Sequence, residues 1–208
     1  MKIISIFSLL IAPLLFLPEK QLSEDEESAF LKRLEMNQQA LSTLSADFSQ
    51  VNSNPIFTEP IESKGLFCYA KPDKIRWEET LPNAQYIIIN GKKFIQYDGK
   101  KVIKSSANSM QASIFKRFML KTINGTIFKD KSFSSNLVKE GDFVRIELVP
   151  TDKRMKNRIS RIAMTFHNKI LVLKKLALYE NEQVNTVITF TNQVKDKSIS
   201  DNLFEADE

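Results

Sequence analysis

Few side chains in this sequence are suited to covalent chemistry. There is one cysteine, Cys68, and one histidine, His167. Cys68 alternates with Leu66 and Ala70 along a strand-like run and reads as a small apolar filler; as the sole cysteine it excludes an internal disulfide. His167 falls between strand-like segments with no evident partner, as a turn or surface histidine does. Without a Cys/His or Ser/His pair, and with carboxylates spread over turns, nucleophilic and metal-dependent mechanisms lack their parts. Any two of the 25 acids can converge in space, so a glycosidase-like carboxylate pair is not excluded by spacing alone. Four of the five glycines, Gly91, Gly99, Gly125 and Gly141, adjoin Asn or Asp and read as turn glycines, and neither GxGxxG nor GxxxxGK[ST] occurs. No catalytic residue, metal site or cofactor is expected. The abundant chemistry is apolar: 15 Phe against 1 Trp and 4 Tyr bring area without a polar tip to satisfy, which suits a large greasy interior.

That apolar mass sits on strands. From Gly65 to Lys101, short aromatic and β-branched runs are cut by Lys71-Pro72, Leu81-Pro82, Asn90-Gly91 and Asp98-Gly99. The last two dipeptides signal hairpins, ideally of type I′. Phe67, Tyr69, Ile75, Trp77, Tyr86, Ile87, Ile88, Ile89, Phe94, Ile95 and Tyr97 are too many for a sheet with one wet face, so something must cover the excess. Residues 23–43 supply one cover: Ser23 and Glu26 have capping-box spacing, acids crowd the first turn, and Phe30, Leu34 and Leu41 recur at helical spacing. Residues 105–122 supply another, through Met110, Ile114, Phe115, Phe118 and Met119. Residues 123–128 read as a turn and strand, with Asn124-Gly125-Thr126 a hairpin turn and not a glycan site. Strands follow at 133–138, 143–150, 159–166, 170–179 and 184–191, alternating clearly in 143–150 and 161–166. The sum is a mainly β (α+β) chain of about ten antiparallel strands with two or more helices on one side.

Residues 3–17 form an apolar run after Lys2, short for a membrane span, so residues 1–20 read as a secretory signal with an uncleaved anchor as the alternative. Residues 21–208 then make a single exported domain. No cysteine follows the apolar run to take a lipid anchor. The net charge of +5 falls to +4 without residues 1–20, as 28 bases against 24 acids. Lys153, Arg154, Lys156, Arg158 and Arg161 cluster locally, but without interleaved aromatics they read as a solvated hairpin or a docking rim, and no nucleic-acid partner is expected.

The order LSADFSQ (44–50), GLFCYAKPDKIRW (65–77), a Pro-containing turn and IIINGKKFIQYD (87–98) resembles the periplasmic carriers of outer-membrane lipoproteins, the LolA family. FVRIELVP (143–150), VITFTN (187–192) and ISDNLF (199–204) fall where that family has its later strands and closing segment. The resemblance implies a half-open β-barrel whose concave apolar face is roofed by helices. It also implies a monomeric, non-enzymatic carrier that takes acylated lipoprotein from an inner-membrane release complex to an outer-membrane acceptor. A carrier of the same fold for another amphiphile, such as a glycolipid or pigment lipid, and a non-transport periplasmic scaffold are the alternatives. By strand parity the expected lipid-binding wall is Phe67, Tyr69, Lys71, Ile75, Trp77, Ile87 and Ile89, and the lid residues are Phe115, Phe118 and Met119. Lys71 stands where the family typically has an Arg that holds the lid backbone; a lysine is a point donor and cannot supply a bidentate fork.

Overall fold

The computed structural model describes residues 20–107 and 109–206, so the expected signal at residues 1–20 lies outside the described residues except for Lys20. The chain opens with β1 (Lys20–Gln21) and helix α1 (Glu24–Gln39). Ser23 caps α1 with the full reciprocal box to Glu26, and the four acids of its first turn meet the positive end of the helix dipole. Six strands follow: β2 (Thr43–Ser53), β3 (Ile61–Ala70), β4 (Lys74–Leu81), β5 (Gln85–Asn90), β6 (Lys93–Tyr97) and β7 (Val102–Ser106). After helix α2 (Met110–Ile123) and a 3-10 turn at Ile127–Lys129 come β8 (Phe133–Glu140), β9 (Phe143–Pro150), β10 (Arg161–His167), β11 (Leu173–Tyr179) and β12 (Asn185–Lys195).

These strands form one antiparallel sheet in the order β1-β8-β9-β10-β11-β12-β2-β3-β4-β5-β6-β7, with β1 and β7 as open edges. The central pairing of β12 with β2 joins the two ends of the chain, since Phe190 lies opposite Phe48. One face of the sheet, from β8 round to β5, shares a single core with both helices: Leu137, Ile146, Met164, Leu176, Ile188, Phe48, Phe67 and Ile75 pack with Phe30 and Leu34 of α1 and Met119 and Ile123 of α2. That face is therefore the concave one, and the helices fill it.

The expected sheet differs from the observed one in particulars. There are twelve described strands where about ten were expected, because β1 and the wholly exposed β7 carry no apolar alternation to reveal them. Residues 123–128 form no strand: they complete α2, turn at Gly125 (φ 64°) and enter the 3-10 turn. A Cβ on Gly125 would lie 3.0 Å from the Glu35 Cα, so this glycine also lets α1 approach. α2 begins at Met110 because Ser105 and Ser106 finish β7, and α1 stops at Gln39 so that β2 can start at Thr43. The β5–β6 loop is Gly91-Lys92, in which only Gly91 has positive φ (61°), so it is not the type I′ turn expected from Asn90-Gly91. The single helical turn Lys153–Lys156 carries three residues of the basic cluster, Arg158 follows it and Arg161 opens β10.

The isoleucine run also divides. Ile89 belongs to the concave core, whereas Ile88 points to the opposite face and packs with Tyr86, Ile95 and Phe204 of a 3-10 turn at Asp201–Phe204. The excess apolar weight of this half of the sheet is thus covered twice, by the helices inside and by the C-terminal segment outside. Cys68 is half-buried beneath that outer cover, and His167 is half-buried at the end of β10 with its ring edge-on to Phe143.

Candidate functional site

Strand register builds the concave wall in two rows. Tyr69, Ile75 and Ile89 are neighbours across β3, β4 and β5, and Phe67, Trp77 and Ile87 form the next row toward the β2–β3 loop. Tyr69, Ile75 and Ile89 are fully buried; Phe67 is buried, and Trp77 and Ile87 are half-buried. Trp77 stacks on Phe48 of β2 at a centroid distance of 4.3 Å, with Phe190 edge-on at 6.2 Å and Phe67 tilted at 6.0 Å. Gly65 makes this stack possible: a Cβ there would lie 1.8 Å from the Glu78 carbonyl oxygen and 2.6 Å from the Phe48 ring. Burial raises the pKa of the Tyr69 phenol, which suits an apolar wall.

The lid side comes from α2 and α1. Met119 is buried, and Phe115 and Phe118 are half-buried against the concave core. Each helix is also tethered by polar bonds. Lys71, exposed at the end of β3, donates through Nζ to the Gln39 carbonyl at the C-terminus of α1, 3.0 Å away. Arg33 donates to the Asn168 carbonyl at 2.8 Å, and Lys129 pairs with Glu35 at 2.6 Å. For α2, Lys116 Nζ reaches Asp73 at 2.5 Å and the Gly91 carbonyl at 2.8 Å, and Lys121 pairs with Asp130 at 2.6 Å. The Lys121 ammonium and the Ser132 backbone N–H hold the Asp130 carboxyl down at about 2.

Where α1, α2 and the β11–β12–β2 wall meet, a crevice of about 50 Å³ remains. Leu44, Ala46, Phe67, Met119, Ile123, Leu173, Leu176 and Phe190 supply its apolar lining, and Gln38, Thr122, Gln193 and Lys195 its polar one. Of the ten wall and lid residues expected from sequence, Phe67 and Met119 line this crevice and the other eight do not. Lys195 donates to Asn37 Oδ1 at 2.9 Å, and burial lowers its pKa. Gln193 donates to the Leu173 carbonyl at 2.7 Å.

Parity alone misses Gln193 and Lys195. The pairing of β12 with β2 shifts between Thr191 and Val194, around Asn192 in the left-handed region (φ 49°). Continuing from the inward Phe190, strict alternation would place Asn192 and Val194 on the wall; the extra residue turns Gln193 and Lys195 inward instead. A second shift, between Thr165 and Phe166 on β10, sets Phe166 against Leu173. Phe48 and Ala46, by contrast, were legible from the alternation in LSADFSQ. Among the described residues no group of three His, Cys, Asp or Glu could hold a metal ion, and no helix is long and apolar enough to cross a membrane.

The arrangement is a hydrocarbon-lined hollow occupied by the protein's own helices. The sequence matches the family model for outer membrane lipoprotein carrier protein LolA over residues 39–207. An outer-membrane lipoprotein carrier protein of Chromobacterium violaceum is 32% identical over 152 residues, which is 73% of this chain and 70% of the relative. One of Francisella philomiragia subsp. philomiragia is 30% identical over 170 residues, 79% of this chain and 78% of that one. Among solved structures, an uncharacterized conserved protein from Thermus thermophilus superposes with a TM-score of 0.55 at 9% identity, over 88% of this chain and 94% of that one, a likeness of fold alone. On the extent of the family match and the identity to these relatives, the chain belongs to the outer-membrane lipoprotein carrier family.

Proposed function

We propose that this protein is a periplasmic, monomeric, non-enzymatic carrier that shields the acyl chains of lipoproteins and passes them from an inner-membrane release complex to an outer-membrane acceptor. The observation that carries the reading is the concave apolar face closed by two helices, whose buried side chains leave a crevice of only about 50 Å³ against the β11–β12–β2 wall. About 10–15 Å³ of such space holds one water and about 150 Å³ takes a benzene ring, so this remnant admits a few waters and no acyl chain. Hydrocarbon enters only as helical side chains leave. That exchange suits a carrier energetically. An acyl chain gains about 0.8 kcal/mol for each methylene buried, and each displaced Leu, Ile, Met or Phe gives up about 1.5–3 kcal/mol. The two terms oppose each other, so the net affinity is a modest difference, and cargo can be handed on without an energy source at the receiving membrane.

The names of the relatives support lipoprotein as the cargo. The expected ligand-contacting residues are the wall Phe67, Tyr69, Ile75, Trp77, Ile87 and Ile89, with Phe115, Phe118 and Met119 on the lid and Lys71 as its tether. The test is to mix the protein with a fluorescent triacylated lipopeptide and separate the products by size. The carrier reading expects a soluble one-to-one complex and quenching of the sole tryptophan, Trp77, by a brominated fatty acid. A protein that leaves the lipopeptide aggregated and Trp77 unquenched is a scaffold. Mass spectrometry of lipid copurifying from periplasm distinguishes lipoprotein from another amphiphile.

A further inference from the structure

The crevice contains one polar atom whose presence the apolar wall does not explain. The Thr122 hydroxyl oxygen has no hydrogen-bond partner, and the residue is only 8% exposed. A helical threonine ordinarily donates to the carbonyl one turn back. Leaving a buried hydroxyl unmade destabilises the fold, so a native protein rarely keeps one without a use for it. The other polar groups of the lining are engaged: Gln38 with the Leu171 carbonyl at 3.4 Å, Gln193 with Leu173 and Lys195 with Asn37. Thr122 is the one polar side chain of this lining that makes no hydrogen bond. Lys195 is the one charged residue of the lining and is cationic, so an electron-rich oxygen brought there meets no anion.

We propose that this crevice binds the carbonyl end of an acyl chain, with the Thr122 hydroxyl donating to the ester or amide oxygen while the hydrocarbon replaces helix side chains along the wall. The inference rests on the carrier reading and adds to it a fixed point for the cargo's acyl linkage. A pure hydrocarbon lining would hold a chain at any depth. One donor at the meeting of α1, α2 and β12 sets the depth, and it rewards acyl linkages over bare alkanes. The empty protein carries the unpaired hydroxyl as a destabilising feature that loading removes.

The test uses methyl palmitate and heptadecane, delivered from cyclodextrin, to displace a fluorescent fatty acid from wild-type protein, Thr122→Val and Thr122→Ser. Wild type and Thr122→Ser should prefer the ester over the alkane by about five- to tenfold, the worth of one neutral hydrogen bond. In Thr122→Val the preference should vanish while heptadecane binding stays unchanged, and the ligand-free melting temperature should rise, because an isosteric methyl replaces an unpaired hydroxyl. An ester preference that survives in Thr122→Val, or a ligand-free variant that melts no higher, would overturn the assignment. A wild type that takes both probes equally would overturn the polar site and leave the carrier reading standing. A wild type that takes neither would sink both.

Discussion

The same three strands, β4 to β6, are covered on both faces, and the two covers are built differently. Outside, the C-terminal segment is fastened to the sheet by backbone capture. Arg76, 4% exposed, donates to the carbonyls of Leu203 at 3.2 Å and Glu205 at 3.4 Å, pairs with Glu78 at 2.7 Å and stacks over Tyr86 at 4.7 Å. Asn90 donates to the Phe204 carbonyl at 3.3 Å, and Lys74 meets Asp201 at 2.7 Å. Phe204 is buried beneath this net. Inside, α1 and α2 press apolar side chains into the hollow and are held by long polar side chains, several of them exposed. A buried arginine bonded to carbonyls is costly to disengage, because its removal leaves charges and carbonyls unpaired in a dry setting. Exposed lysine tethers contribute little, and apolar contacts can be replaced by any other hydrocarbon of similar volume. The more weakly tethered cover is the one that faces the hollow, as the proposed carrier role requires.

The largest expected effect breaks the outer cover. Phe204→Ala should cost about 3–5 kcal/mol of unfolding free energy in denaturant titration, as large-to-small changes of buried aromatics do. It should leave the affinity for a fatty acid unchanged; a parallel loss of both would show that the two covers are coupled. Next, Met119→Ala should cost less, about 2 kcal/mol, and tighten fatty-acid binding, because it removes a side chain that competes for the crevice. Weaker binding would mean that Met119 serves as wall and not as competitor.

Acid should loosen the Lys121–Asp130 tether of α2. Asp130 titrates at about 2 when folded against 3.8 unfolded, so its contribution is complete above pH 3.8 and is lost as pH falls through 2. In Asp130→Asn the melting temperature should lose that part of its acid dependence, a small difference measured between about pH 5 and about pH 2. Smallest in stability is Lys71→Met, which should scarcely move the melting temperature while speeding fatty-acid uptake in stopped flow, since it frees the C-terminus of α1. An unchanged rate would place the gate elsewhere, with α2 the remaining candidate.

Much of this was legible in the sequence where one face is wet and the period is unbroken. The capping box at Ser23 and Glu26, the alternation in 143–150 and 161–166, and the apolar positions of α2 each specify their element locally. The excess apolar weight of residues 65–97 was equally plain, and it correctly demanded a cover. The sequence points to the helices alone for that cover, because Ile87, Ile88 and Ile89 give no sign of which neighbour each will meet. The partner of Ile88 is Phe204, more than a hundred residues away, on a turn too short to announce itself. The wall residues Phe67, Tyr69, Ile75, Trp77, Ile87 and Ile89 fall on one face because β3 to β5 keep strict register there. The crevice was not legible, because a bulge at Asn192 reverses parity just before Gln193 and Lys195, and an asparagine suited to left-handed backbone (φ 49°) is by itself too weak a signal to fix the register.

Hydrogen exchange read by mass spectrometry, with and without bound palmitate, tests the central claim most directly. Amides of α1 and α2 should change their exchange on loading, while those of β4, β5 and the Asp201–Phe204 turn stay as they were. Equal change at both covers, or change at the C-terminal segment alone, would contradict an account in which lipid displaces the helices and nothing else.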